Sequence, residues 1–486
     1  MTENLTVEQS WRGPFWLPGQ PDRDQRGVLT YDPNNGITLS LVGGFDDGRW
    51  AQLSPGEYAM REGSGRFLVI HGRVGSKPVS LLDCRIMASS SSGIGFELDE
   101  QDVRVGRMLT GVFLDDPDAE AFSELTIELE NLTRWDHRED VMSHIEYDPG
   151  HPRGEKWKVT VDPVAPLTVT VGDLTIELGR RYVMPSGDMR RDGLEASAFV
   201  ASYLTIMSSQ PKSISQWLET EKQFQDLLTL AMDAPCAVLS EALTPAEALR
   251  NNEQAEARDE ISLYMRHINV GNPGAPSVEG REAFFTLKTV GVDFHTLITR
   301  WVSVNTSFRT ACDMILGLRY VKGGYLQNHL ITAVAAAEAM HAAMDFDPPM
   351  PNSEFKALKK SLLKAVPADG RQWLREKLGS NKCTLARQLT DLAAIPNQEV
   401  MSSLLPNVKA WAEATKNERN PVAHGGDISA DVRLLSAITM VTTAVVLVNL
   451  LHQLGIPKER LIFAAVDNPT LSRAARLARE QWPSVS

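Results

Sequence analysis

Cysteine is scarce in this chain. Cys84, Cys236, Cys312 and Cys383 stand far apart, and no CxxC pair occurs. That pattern excludes a zinc ribbon and argues against a disulfide framework. The opening residues, MTENLTVEQSW, have neither the basic stretch nor the apolar stretch of a secretory leader. The expected compartment is a reducing cytoplasm. Nucleotide and protease signatures are missing too. The nearest string to a P-loop, GRVGSK at 72–77, has the wrong spacing and runs into Pro78. There is no HExxH, and GSG at 63–65 is not a GxSxG nucleophile elbow. In DHREDVMSHIEYDPGH, His137, His144 and His151 recur among carboxylates. Pro149 and Gly150 interrupt any helix that would align them, so this stretch reads as a solvated loop rather than a metal site. No metal and no cofactor is expected.

The 486 residues are enough for two or three domains, and 43% hydrophobic with 23% charged is ordinary for a globular chain. The net charge of −13 conceals a division. Residues 1–299 carry 27 basic and 46 acidic side chains, whereas residues 300–486 carry 22 and 16. The first part is thus −19 and the second +6. Either surface charge drifts between domains, or the second part is built to meet a polyanion.

Hydrophobic periodicity divides the chain at a similar place. Between 27 and 190, ITLSLVGGF, RFLVIHGRV, KPVSLLDCRI, ELTIELENL, KWKVTVD and LTVTVGDLTIELGRRYVM alternate with period two between Gly, Asp, Asn and Pro turns. Residues 199–270 are mixed, with a helical pattern over SISQWLETEKQFQDLLTLAM. From about 290 the period becomes 3.6, as in YLQNHLITAVAAAEAMHAAM and VMSSLLPNVKAWAEATKN. The expected fold class is α+β. A β-rich domain, sandwich or barrel-like, spans 1–285, and an all-α helical bundle spans 286–486. One run, Leu434–Leu451, has no charge over 18 residues and just reaches spanning length. Five of its residues are Ser, Thr or Asn. It reads as the core helix of a bundle or a subunit interface, with a membrane span as the rival; no membrane partner is expected.

The string with chemical promise is ERNPVAHGG, Glu418 to Gly426. It sets Arg419 and His424 in an R-x4-H spacing. A second copy, Arg66 to His71, lies in a strand pattern, where residues five apart face opposite sides. In the first copy, Asn420-Pro421 reads as an N-cap followed by a first-turn proline. Arg419 and His424 would then flank a helix N-terminus, which favours a phosphate. Histidine titrates near neutrality and can move a proton at a ribose 2'-hydroxyl or a leaving 5'-oxygen. Arginine can hold the charge that develops on phosphorus-bound oxygens. The same string also reads as a plain helix cap beside a surface histidine.

At this motif the chain resembles the HEPN superfamily, whose ribonuclease members carry R-x4–6-H, often with Asn after the Arg. Upstream, LQNHLITAVAAAEAMH (326–341) is similar to the long early helix of ApeA-type HEPN domains, with Glu338 and His341 in an "EalH"-like string. GVLTYDPNNGITLSLVGGF (27–45) and IHGRVGSKPVSLLDCRI (70–86) are similar to the ApeA N-terminal domain. The double glycine after His424 has no counterpart in that pattern. The resemblance implies a metal-independent endoribonuclease of abortive-infection phage defence, toxic when released. It would leave a 2',3'-cyclic phosphate and act as a homodimer or higher homo-oligomer. It implies His424 as acid/base, Arg419 as charge stabiliser, Asn420 as orienting or capping residue, and Glu338 as support. The partners would be an RNA substrate and a phage-derived trigger, sensed by the N-terminal domain. The alternative is a non-catalytic HEPN module that binds nucleotide, RNA or protein.

Overall fold

Period-two alternation gives strands wherever one face of the chain can be buried. The computed structural model describes residues 3–46, 50–54, 57–60, 65–90, 98–147, 150, 155–189, 191–250, 260–321, 323–424 and 431–484. Two compact units emerge. One comprises Met1–Val278 with Phe285–Thr289, and the other Glu279–Phe284 with Val290–Ser486.

The first unit begins with β1 (Gln9–Trp16), β2 (Gln25–Asp32) and β3 (Gly36–Val42). A separate hairpin follows, β4 (Trp50–Ser54) and β5 (Glu57–Met60). Next come β6 (Arg66–Val74), β7 (Lys77–Ser90) and β8 (Glu100–Val105). Six of these strands, in the order β7-β6-β1-β2-β3-β8, close into an antiparallel barrel because β8 pairs back onto β7. Leu29, Leu39, Ile70, Leu81 and Val103 are fully buried in this unit. Closure depends on the 14-residue β7. Its Val79–Leu82 stretch pairs with β9 (Arg107–Thr110), and from Arg85 it pairs with β8 instead. The change falls at Asp83, whose φ of 56° is left-handed, followed by a register shift between Ile86 and Ala88. Arg107 donates to Asp83 at 2.9 Å across this bend. Of the two R-x4-H copies, the one in β6 leaves Arg66 exposed and His71 buried.

The sheet continues past β9 through β10 (Phe122–Leu129), β13 (Leu167–Val171), β14 (Leu174–Met189), β15 (Leu194–Lys212), β16 (Val238–Pro245) and β17 (Ile261–Met265). From β7 outward the order is β9-β17-β16-β10-β15-β14-β13. A second hairpin, β11 (Val141–Tyr147) and β12 (Glu155–Val161), stands apart. His144 therefore lies on an exposed strand, not in the loop expected from Pro149 and Gly150, because paired strands need no helical continuity. Helices α1 (Leu132–Asp136), α2 (Ile214–Met232) and α3 (Glu247–Arg250) complete the unit. A Ser213/Gln216 capping box starts α2, and the buried Trp217 donates from its indole to Phe122 O at 3.1 Å. Asp136, at 1% exposure, accepts from Arg138, Arg180 and Ser202, and Arg180 also reaches Asp140.

The second unit is helical throughout: α4 (Phe294–Ser307), α5 (Arg309–Tyr320), α6 (Leu326–Ala343), α7 (Asn352–Ala365), α8 (Arg371–Lys377), α9 (Leu385–Ala394), α10 (Gln398–Leu404), α11 (Val408–His424), α12 (Val432–Gln453), α13 (Lys458–Asp467) and α14 (Pro469–Gln481). Its centre is α12, which carries the uncharged run. Fourteen of its residues are buried, with α6 and α14 as its main neighbours. By length and composition it could cross a membrane, yet its apolar surface is spent inside this unit. Asp431 caps its start, and Asn449 ties it to α9 by donating to Leu392 O at 3.1 Å. Gly455, at φ 77°, ends it, and a Cβ there would collide with Arg300. The arrangement is the β-rich region followed by a helical bundle that periodicity indicated, with a closed barrel rather than a sandwich in its first part.

Candidate functional site

The site is built where α11 passes α6 and α9. Asn407 caps the start of α11, accepting from Ala410 N at 3.1 Å. Trp411 and Thr415 are both fully buried. Residues 411, 415 and 419 are spaced by four, so they share one face of a helix. Arg419 is therefore the next residue along a stripe already pressed into the unit. It meets Glu338 of α6, donating from Nη2 to Oε2 at 3.2 Å. Glu338 follows Val334 by one turn and precedes His341 by another, and both of those are buried. The ion pair keeps about a third of each side chain open to solvent, 30% for Arg419 and 34% for Glu338. It joins residues 81 apart in the chain, two of the four expected site residues.

One turn further along α6, His341 Nε2 lies 3.2 Å from Asp391 Oδ2 of α9. Arg387 Nε holds the other oxygen of Asp391 at 2.7 Å. The imidazole is stacked on Phe346 with centroids 4.3 Å apart and planes 9° from parallel. His341 stands in the "EalH"-like string without an expected role, and the one sequence signal for Arg387 and Asp391, which are not among the expected site residues, is an i,i+4 Arg–Asp spacing in TLARQLTD. Cys383 Sγ joins His341 and Asp391 in a donor group spanning at most 4.8 Å, among the described residues the one such group of three that could hold a metal ion. Both carboxylate oxygens of Asp391 already have partners there.

The local reading of Asn420-Pro421 is corrected. No helix starts there: α11 runs without a break from Val408 to His424. Asn420 is inside the helix and is not its N-cap, and Arg419 and His424 do not flank an N-terminus. They stand at the carboxyl end, where the backbone dipole repels rather than attracts a phosphate. Tertiary packing overrides the proline signal. The buried Trp411 and Thr415 hold α11 in place, so Pro421 falls in the last turns, costing one bond to the carbonyl of Asn417 rather than a helix. The side chains of Asn420 and His424, and Gly425 and Gly426 entirely, lie outside the described residues. By backbone position, residues five apart on a helix are separated by about 140° around the axis. Arg419 and His424 thus occupy different faces of α11.

Comparison with known proteins adds the family. The model of ApeA N-terminal domain 1 matches residues 10–301. The chain belongs to the ApeA family. The model of the Apea-like HEPN domain matches residues 331–460, which run from within α6 to the start of α13 and contain Glu338, His341, Asp391, Arg419 and His424. HEPN domains are generally associated with nucleases, and the ApeA-like members with defence. No curated protein and no solved structure matches the chain.

Proposed function

We propose that this ApeA family member is a metal-independent endoribonuclease of abortive-infection defence against phage, acting in the cytoplasm. The observation that carries the reading is the Glu338–Arg419 contact, which brings two motif residues together inside the segment matched to the Apea-like HEPN domain. A fixed guanidinium, partly open to solvent, suits the charge that grows on the non-bridging oxygens of a phosphorane-like transition state. In the step proposed, the O2'–P bond forms while the P–O5' bond breaks. A His424 imidazole takes the 2'-hydroxyl proton, and a His424 imidazolium gives one to the leaving 5'-oxygen. The products are a 2',3'-cyclic phosphate and a 5'-hydroxyl. General acid–base assistance of this kind contributes about 10²–10⁴-fold. Asn420 orients the site, and Glu338 orients Arg419.

The helical phase of α11 favours a shared cleft. With Arg419 and His424 on different faces of one helix, two copies of the chain would assemble the site as a homodimer or higher homo-oligomer. The N-terminal unit, with its acidic balance, would restrain the nuclease and repel RNA until a phage-derived trigger releases it. A rival reading is a non-catalytic HEPN module that binds nucleotide, RNA or protein. It draws support from the Arg419 charge being already matched by Glu338. The two are separated by incubating purified protein with RNA in EDTA. The nuclease reading expects cleavage by the wild type and none by His424→Ala at unchanged melting temperature. Saturable binding without turnover, or equal cleavage by both proteins, would reject it.

A further inference from the structure

The helical hairpin α7–α8 stands out from the rest of its unit. Neither helix has a single buried residue, in a unit whose other long helices are anchored by apolar faces. Its charge is equally unusual. Residues 352–382 hold eight of the 22 cations and three of the 16 carboxylates found in 300–486. The segment is therefore +5, and the remainder of that region is nearly neutral. Lys356, Lys359, Lys360 and Lys364 follow helical spacing along α7. With Leu363 and Arg371 they line a groove of about 400 Å³. From Lys356 to Lys364 the stripe runs about 12 Å along the helix. Lys359 donates to the Leu378 carbonyl at 2.6 Å, and Arg371 to the Val366 carbonyl at 3.0 Å. Among the described residues, none of these five cations has a carboxylate partner within salt-bridge distance. Like charges at i,i+3 and i,i+4 weaken a helix, so an unpaired lysine stripe is a standing cost that an external polyanion would remove. Trp373, at 62% exposure, offers a flat apolar face on the adjoining helix.

We infer that the α7–α8 groove is the site that grips the phosphodiester backbone of single-stranded RNA, with Trp373 as a base-stacking platform. The inference rests on the ribonuclease reading and deepens it, by separating where RNA is held from where it is cut. Recognition is by charge, without base preference, because lysine ammonium groups contact phosphates as point charges.

The test uses the full chain carrying His424→Ala, so that the RNA survives, and a fluorescent single-stranded RNA followed by anisotropy across a salt series. The variant Lys356→Gln/Lys359→Gln/Lys360→Gln/Lys364→Gln should melt within a few degrees of its parent, since no side chain of α7 or α8 is fully buried and loss of the Lys359–Leu378 hydrogen bond is offset by relief of like-charge repulsion along α7. Its affinity should fall roughly 10- to 100-fold at about 0.1 M salt, and the slope of log K against log salt should flatten by about 2–3. Trp373→Ala should weaken binding without changing the slope. Unchanged affinity and slope in the lysine variant would overturn the inference. So would lysine-dependent sedimentation with phosphatidylserine vesicles together with lysine-independent RNA binding. In an otherwise wild-type chain, the lysine substitutions should raise KM for RNA and leave kcat intact. A wild type that binds through the lysines but cuts nothing would refute the nuclease reading and leave the groove standing. A lysine variant that binds and cuts as the wild type does would leave the nuclease and remove the groove.

Discussion

Glu338→Gln separates a positioning role from a structural one. The amide keeps the size of the carboxylate and removes its charge. Because each partner is about a third exposed, the pair is screened by solvent and contributes only about 0.2–1 kcal/mol to stability. For a domain of this size that corresponds to a melting shift of about 2–4 °C at most. The effect on turnover should be far larger. Loss of a group that stabilises transition-state charge typically costs about 10²–10³ in kcat, which is the expectation for Arg419→Ala. Glu338→Gln leaves the guanidinium present but unanchored, and misplacement on the scale of 1 Å costs up to about 10²-fold. A loss of about 10–100-fold in kcat, with KM little changed, is expected from steady-state cleavage of a fluorescent RNA. Groups that act as one unit are not additive, so the double variant Glu338→Gln/Arg419→Ala should be no slower than Arg419→Ala alone. Full activity in Glu338→Gln, or losses that multiply in the double variant, would refute the idea that Glu338 acts through Arg419.

Three further outcomes test the fold that carries the site. Leu450, fully buried in α12, should cost about 3–5 kcal/mol when replaced by Ala, read from chemical denaturation; a cost below about 1 kcal/mol would mean that α12 is not the core of its unit. Arg180, 3% exposed between Asp136 and Asp140, should cost about 3–5 kcal/mol when replaced by Leu, since the buried Asp140 loses its cation and Asp136 is left with Arg138 alone; a neutral result would deny that the cluster is coupled. Glu241 of β16 is wholly buried; burial, followed by the charge of Glu221, raises its pKa well above the usual carboxylate range. Its folded form holds a proton that the unfolded chain releases above about pH 4.5. Stability from this group is therefore lost as pH rises through its folded pKa, at up to about 1.4 kcal/mol per pH unit. Glu241→Gln should be more stable than wild type at pH 8 and lose that advantage toward pH 5, and a variant equally destabilised at both would contradict the sign.

The strand and helix regions were legible because apolar period sets local structure. ELTIELENL became β10, and the uncharged run became the buried α12. Barrel closure was not legible, since it depends on one long strand, β7, exchanging β9 for β8 across Asp83. No local pattern encodes that exchange. Nor does VLSEALTP, which lacks a period-two pattern, disclose that the Glu241 carboxylate is buried, where burial raises its pKa. At the candidate site, a family-level resemblance brought out Glu338, and the fold sets it against Arg419. The cap reading of Asn420-Pro421 failed because a dipeptide carries a local preference of about a kilocalorie, whereas the Trp411 and Thr415 stripe draws on tertiary burial. The Asp391 partner of His341 lies 50 residues away and was invisible to spacing.

The most direct measurement is the end chemistry of the product. RNA treated with the chain in EDTA should carry 2',3'-cyclic phosphate and 5'-hydroxyl ends, and an all-2'-O-methyl copy of the same strand should stay intact. Ends bearing 5'-phosphate, or cutting of the 2'-O-methyl strand, would mean that the 2'-hydroxyl is not the nucleophile and that Arg419 and His424 do not perform the chemistry assigned to them.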